Sequence, residues 1–218
     1  MRIRLLNVLS LVTAVIVSLL LCTAGKADTR VHSFDILTWR LGNPPPSPVD
    51  ANIRVLRTDT MRRCDTAYQQ RIIGRTADSA SDEIEIDYLY DVNGPGLVTR
   101  IFRRARYAVS TEEMLNAVIT KYGKVDSQSY EPRKRGLQCG YDCMERHVLR
   151  WGEEATASLT VTVFPQAYMS NGKPIGFFTA ELRDKVIESS HKTSVFEKSA
   201  AAIAACDAAR SAATKPRL

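Results

Sequence analysis

From Glu83 to Asp91 the chain alternates. Ile84, Ile86, Tyr88 and Tyr90 fall on one side, and Glu83, Glu85, Asp87 and Asp91 on the other, with Leu89 the exception. That period of two marks a half-buried strand. Asn93-Gly94-Pro95-Gly96 follows, four residues that favour turns, and alternation resumes over 97–107. Arg100, Phe102, Arg104 and Arg106 share one side there, and Thr99, Ile101, Arg103, Ala105 and Tyr107 the other. Two alternating runs about such a turn read as an antiparallel hairpin, so part of the core must be sheet. An acidic strand thus meets a basic one. Cross-strand ion pairs are the favoured reading, and an anion-binding surface at Arg100, Arg104 and Arg106 is the alternative.

Further strands are expected over 147–151, over 157–164, where Leu159, Val161 and Val163 alternate with Ser158, Thr160 and Thr162, and over 175–187 after the Asn171-Gly172-Lys173-Pro174 turn. Helices are signalled differently. Ser110-Thr111-Glu112-Glu113 is a capping box, Met114, Leu115, Val118, Ile119 and Tyr122 form an apolar stripe, and Gly123 supplies the stop. Ser47 and Pro48 open an expected helix over 48–57 on Val49, Ile53 and Leu56, and the stretch 61–73 is compatible with a second one ended by Gly74. Ser33 to Gly42 reads as a short strand or extended lead-in, and Pro44-Pro45-Pro46 as a stiff loop. Ser194-Val195-Phe196-Glu197 reads as another capping box before an alanine-rich helix running to about Ala213. The fold class is therefore α+β: an antiparallel sheet of about five or more strands, two or three helices packed on one face, and an Ala-rich C-terminal helix. The expected organisation is a signal peptide over 1–27, a domain over 28–192 and a C-terminal helix and tail over 193–218. Within the domain, 33–109 and 110–190 suggest a degenerate tandem repeat.

The address comes from the N-terminus. Arg2 and Arg4 precede a mostly apolar run from Leu5 to Cys22, and Gly25 and Ala27 stand at the small positions a signal peptidase requires. Leucine before Cys22 argues against lipidation, and an uncleaved inner-membrane anchor through 5–22 is the alternative. Losing Arg2, Arg4 and Lys26 lowers the net charge from +6 to +3, too mild to demand a nucleic-acid partner. A hydrophobic content of 44% and a charged content of 25% exclude a disordered or collagen-like chain. Four cysteines remain for an oxidising compartment, whether periplasmic or secreted, with Cys139–Cys143 and Cys64–Cys206 the favoured pairs. The competing reading places a metal on Cys139, Cys143 and His147, but structural zinc wants four ligands, and no metal site is assigned.

Phe34-Asp35-Ile36, Leu41-Gly42, Lys121-Tyr122-Gly123 and a later strand carrying Trp151 give a weak resemblance to exported bacterial proteins. These segments are similar to the helix-plus-meander units of small outer-membrane-assembly lipoproteins and of β-lactamase inhibitor proteins. The resemblance implies a protein that binds other proteins. The three histidines, His32, His147 and His191, lie outside any nucleophile or zinc motif, and no phosphate-cradling glycine loop occurs, so no catalytic residue or cofactor is assigned. The expected function is a disulfide-stabilised, non-catalytic exported protein that contacts another envelope protein through its sheet face or the Arg133, Lys134, Arg135 loop. An envelope protein binding a small anion or acidic polymer through its Arg-rich strand is the second reading, and an enzyme of unknown reaction the third.

Overall fold

The computed structural model describes residues 29–45, 47, 52–79, 81–91, 94–133, 144–170 and 173–213. In chain order its elements are α1 (Thr29–Ser33), β1 (Ile53–Arg63), β2 (Thr66–Thr76), β3 (Glu83–Asp91), β4 (Gly94–Tyr107), α2 (Thr111–Tyr122), β5 (Ser127–Glu131), β6 (Arg146–Gly152), β7 (Ala157–Ser170), β8 (Lys173–Asp184), α3 (Lys185–Lys198) and α4 (Ala200–Ala213). All eight strands belong to one antiparallel sheet in the order β1-β2-β3-β4-β8-β7-β6-β5. Two four-stranded meanders, β1 to β4 and β5 to β8, thus meet along their last strands. That seam runs from Arg100 opposite Arg183 to Tyr107 opposite Gly176.

Period-two alternation puts Ile72, Ile84, Ile86, Ile101, Leu182, Leu159, Val161, Val163, Leu149 and Trp151 on one face, hereafter the inner face, where all are buried. Val31, Ile36, Trp39, Leu41 and the α2 residues Met114, Leu115, Val118, Ile119 and Tyr122 cover it in a single cluster. Burial of this apolar surface is the main force holding the two meanders together. Polar tips are accommodated at its rim. The Tyr122 hydroxyl donates to the Asp35 carbonyl at 2.9 Å, and Trp151 Nε1 donates to the Gly123 carbonyl at 3.1 Å.

The α2 capping box forms in full: the Ser110 hydroxyl accepts from the Glu113 N–H, and the Glu113 carboxylate from the Ser110 N–H. The β3–β4 hairpin, β6 and β7 lie where alternation places them.

Other expectations are corrected. The helix over 48–57 gives way to strand from Ile53 onward, while 48–51 lie outside the described residues. Three apolar residues at helical spacing are a weak stripe, and Val55 and Leu56 stay exposed, so ladder pairing with β2 prevails. The second helix over 61–73 is instead the β1–β2 hairpin, which turns at Cys64, whose φ is 54°. Gly74 ends no helix. It lies within β2, where a Cβ would come within 2.7 Å of Ile53 Cγ2 and 2.9 Å of the Arg54 carbonyl oxygen.

The lead-in from Ser33 is no strand either, because α1 ends at Ser33 and Ile36 and Trp39 then close a tight turn through Leu37 at φ 61°. The last strand stops at Asp184, three residues early, because the Asp184 carboxylate accepts the Ile187 N–H at 2.8 Å and caps α3. Ser194 is consequently mid-helix and caps nothing.

Helices do not lie on one face alone. α3 packs on β2 and β4, and no residue of α3 or α4 belongs to the inner cluster. Arg183, on the outer face, bonds Glu188 in the first turn of α3 at 2.8 Å.

Candidate interaction face of the sheet

Strand register lays the outer face out in rows, because residues directly opposite on neighbouring strands point the same way. One row reads Asp59, Arg71, Asp87, Arg100, Arg183 and Ser158 from β1 to β7. The next reads Arg57, Ile73, Glu85, Phe102, Glu181, Thr160, Arg150 and Ser127, which extends it to β5. A third reads Arg54, Arg75, Glu83, Arg104, Thr179, Thr162, Val148 and Ser129. Arg106 stands in a fourth, opposite Phe177.

Arg100 is held by three carboxylates. Its Nε lies 2.6 Å from Glu181, and its Nη1 lies 3.0 Å from Glu85 and 3.5 Å from Asp87. Arg71 grips Asp87 with two bonds, at 2.6 and 2.9 Å. The Asp87 side chain is only 2% exposed, so these charges must be paired to be tolerated. Burial works against the Arg100 charge, but hydrogen bonds and charges from Glu181, Glu85 and Asp87 outweigh it and keep the pKa above its ordinary value. The hydrogen bond to Asp87 raises that of Arg71 likewise. Arg100 is therefore an internal clamp between strands.

Arg104 is half-engaged. Its Nη1 is 3.9 Å from Glu83, and its guanidinium lies 5.1 Å over the Phe177 ring, which stacks on Phe164 at 4.1 Å. Arg106 is exposed. Arg133 is also exposed, beyond the end of β5, whereas Lys134, Arg135, Cys139 and Cys143 lie outside the described residues. Sequence reasoning missed Arg54 and Arg75, because it put the first on a helix and left the second unassigned. Thr58, Thr60 and Val55 were the available signal, since β-branched residues favour strand.

Cys64 in the β1–β2 turn is bonded to Cys206 on α4, with Cα atoms 6.2 Å apart and a sequence separation of 142. Arg63 reinforces the junction through Asp207 at 2.9 Å, and Tyr68 meets Phe196 edge-on at 5.4 Å with Lys192 over both rings. Among the described residues, the one group spaced to hold a metal is Cys64, Cys206 and Asp207, whose two sulfurs are spent on each other. His147 instead packs against Tyr130 at 5.0 Å, and His32 Nε2 sits 3.0 Å from Asp184. No helix among the described residues is long and apolar enough to cross a membrane. Comparison with protein-family models, curated proteins and solved structures found no match.

Proposed function

We propose that this chain is an exported, disulfide-stabilised, non-catalytic protein that binds another envelope protein on the outer side of its sheet. The observation that carries this reading is the docking of α4. Ile203 is its one buried residue among those described, and an alanine-rich helix with so little apolar contact depends on the Cys64–Cys206 bond to stay in place. Such a bond persists in an oxidising compartment, in keeping with the basic, apolar leader of the sequence. A binding role is supported by the division of labour between the faces. One is sealed under α1 and α2, while the other carries ion-paired and exposed side chains, among them Arg54, Arg75, Arg106 and Arg150.

The element order, helix then four-strand meander twice over, supports treating the domain as a degenerate tandem repeat. A small-anion site centred on Arg100 is less favoured, since Glu85, Asp87 and Glu181 already occupy that guanidinium.

Two measurements on the exported fraction test the proposal. Intact mass with and without reductant should show loss of the leader and a reducible bond. In-cell crosslinking should give a discrete adduct with one envelope protein. A full-length chain with free thiols in the cytosol, or the absence of any adduct, overturns it.

A further inference from the structure

The row through Arg54, Arg75, Glu83 and Arg104, with Arg106 beside it, is a basic corner that the order of strands assembles from four segments. Neighbouring strands are about 4.8 Å apart, so Arg54 and Arg75 share a small area at the β1 edge, while Arg104 and Arg106 stand on β4, two strands further in and beyond Glu83. Arg54 and Arg75 are directly opposite each other, and both are exposed. Like charges so placed oppose pairing of their strands. Glu83, opposite Arg75 on the far side from Arg54, offsets Arg75 alone, and its carboxylate also lies 3.9 Å from Arg104; Arg54 has only Arg75 opposite it. The fold therefore keeps a repulsive pair at its own edge.

We infer that this corner is the docking surface for an acidic segment of a partner protein, a claim that rests on the protein-binding role proposed above. Charge selects the occupant. A second copy adding its β1 antiparallel to this one would bring Arg54, Arg57, Arg62 and Arg63 towards the same residues of the partner strand, so self-association is opposed. A uniform polyanion would meet Glu83 in the middle of the row. An acidic protein segment suits the mixture, because Val55 and Leu56, 39% and 52% exposed, add apolar contact along the same edge. Arg54 lies beyond the register shift between Val55 and Arg57, outside the regular run of β1, so an extended acidic segment engages the corner by lying across the outer face, its carboxylates between Arg54 and Arg75.

The test compares the full mature chain with Arg54→Glu, Arg75→Glu and Arg150→Glu, the last an exposed arginine on the same face outside the corner. The probe is a fluorescein-labelled peptide alternating glutamate and threonine, followed by anisotropy, with inorganic polyphosphate and single-stranded DNA of matched charge as competitors. Arg54→Glu and Arg75→Glu should each weaken peptide binding by about tenfold; Arg54→Glu should also leave the melting temperature unchanged or raised, because it turns a like-charged pair into an opposite one, whereas Arg75→Glu exchanges that repulsion for one with Glu83. Arg150→Glu should change little, and added salt should weaken binding to the wild type. Equal loss in all three variants, or loss in Arg54→Glu accompanied by a fall in its melting temperature, overturns the assignment. So does displacement of the peptide by polyphosphate or DNA at lower concentration than by unlabelled peptide, which identifies a polyanion site. If the crosslinked adduct survives Arg54→Glu and Arg75→Glu together, this surface is wrong while the binding role stands. If the wild type gives neither adduct nor peptide binding, the role itself fails.

Discussion

Arg100 and Gly176 illustrate how far a single residue can be read. Alternation alone puts Arg100 on the same side as the acids of the preceding strand, and cross-strand pairing was the favoured consequence. What it omits is Glu181, which arrives from a strand eighty residues later and makes the strongest contact, at 2.6 Å. Truncation to Arg100→Ala leaves the nearly inaccessible Asp87 with Arg71 alone, and should destabilise by about 2 to 4 kcal/mol in urea titration. Gly176 has no sequence signal. A Cβ there would lie 2.2 Å from the Tyr107 ring, whose hydroxyl donates to the Phe164 carbonyl at 2.7 Å. Gly176→Ala should cost about 1 to 3 kcal/mol, and the loss should shrink in a Tyr107→Ala background, where the ring is absent.

Among the elements, α2 was legible because its signals are local. A cap, an apolar stripe and a stopping glycine all act within one turn of the residues that carry them. Its cap also gives a pH dependence. Hydrogen bonds from the Ser110 backbone and hydroxyl lower the Glu113 pKa, and the Gly152 N–H, then Arg30, lowers that of Asp126. Both carboxyls therefore bind protons less readily folded than unfolded. Their stabilisation is present in full above the ordinary carboxylate range, around pH 4, and is lost as pH falls through the folded values. Urea midpoints for Glu113→Gln and wild type should differ at neutral pH and converge as pH falls below the ordinary carboxylate range.

β1 and β5 escaped for the opposite reason. An edge strand buries little, so Ile53–Arg63 and Ser127–Glu131 carry no clean alternation, and only their partners β2 and β6 make them strands. The α3–α4 pair is a third case. Asp184 caps it ten residues ahead of Ser194, a choice made by where β8 leaves the sheet. Replacing Cys64 and Cys206 with serine together should release α4 and expose its amides to hydrogen exchange while those of β7 and β8 stay protected. On the chain-entropy model the loss is about 4 to 5 kcal/mol.

For the molecule as a whole, the decisive contact is β4 against β8. It joins the two meanders so that residues from both build one inner cluster. Unfolding should therefore be a single transition by circular dichroism and tryptophan fluorescence alike, and neither meander should fold when expressed alone; separated transitions would show two independent cores. By itself the sequence determined the antiparallel hairpin, the capped helix, the α+β class and the expectation of crosslinked cysteines, all consequences of short-range periodicity and composition. Tertiary structure alone decided that Arg54 stands opposite Arg75, that Glu181 completes the neutralisation of Arg100, and that the C-terminal helices lie away from the inner cluster. Those outcomes depend on strand order and register, and neighbours across a sheet are set by which edges find each other, a choice that leaves no mark on the spacing of residues along the chain.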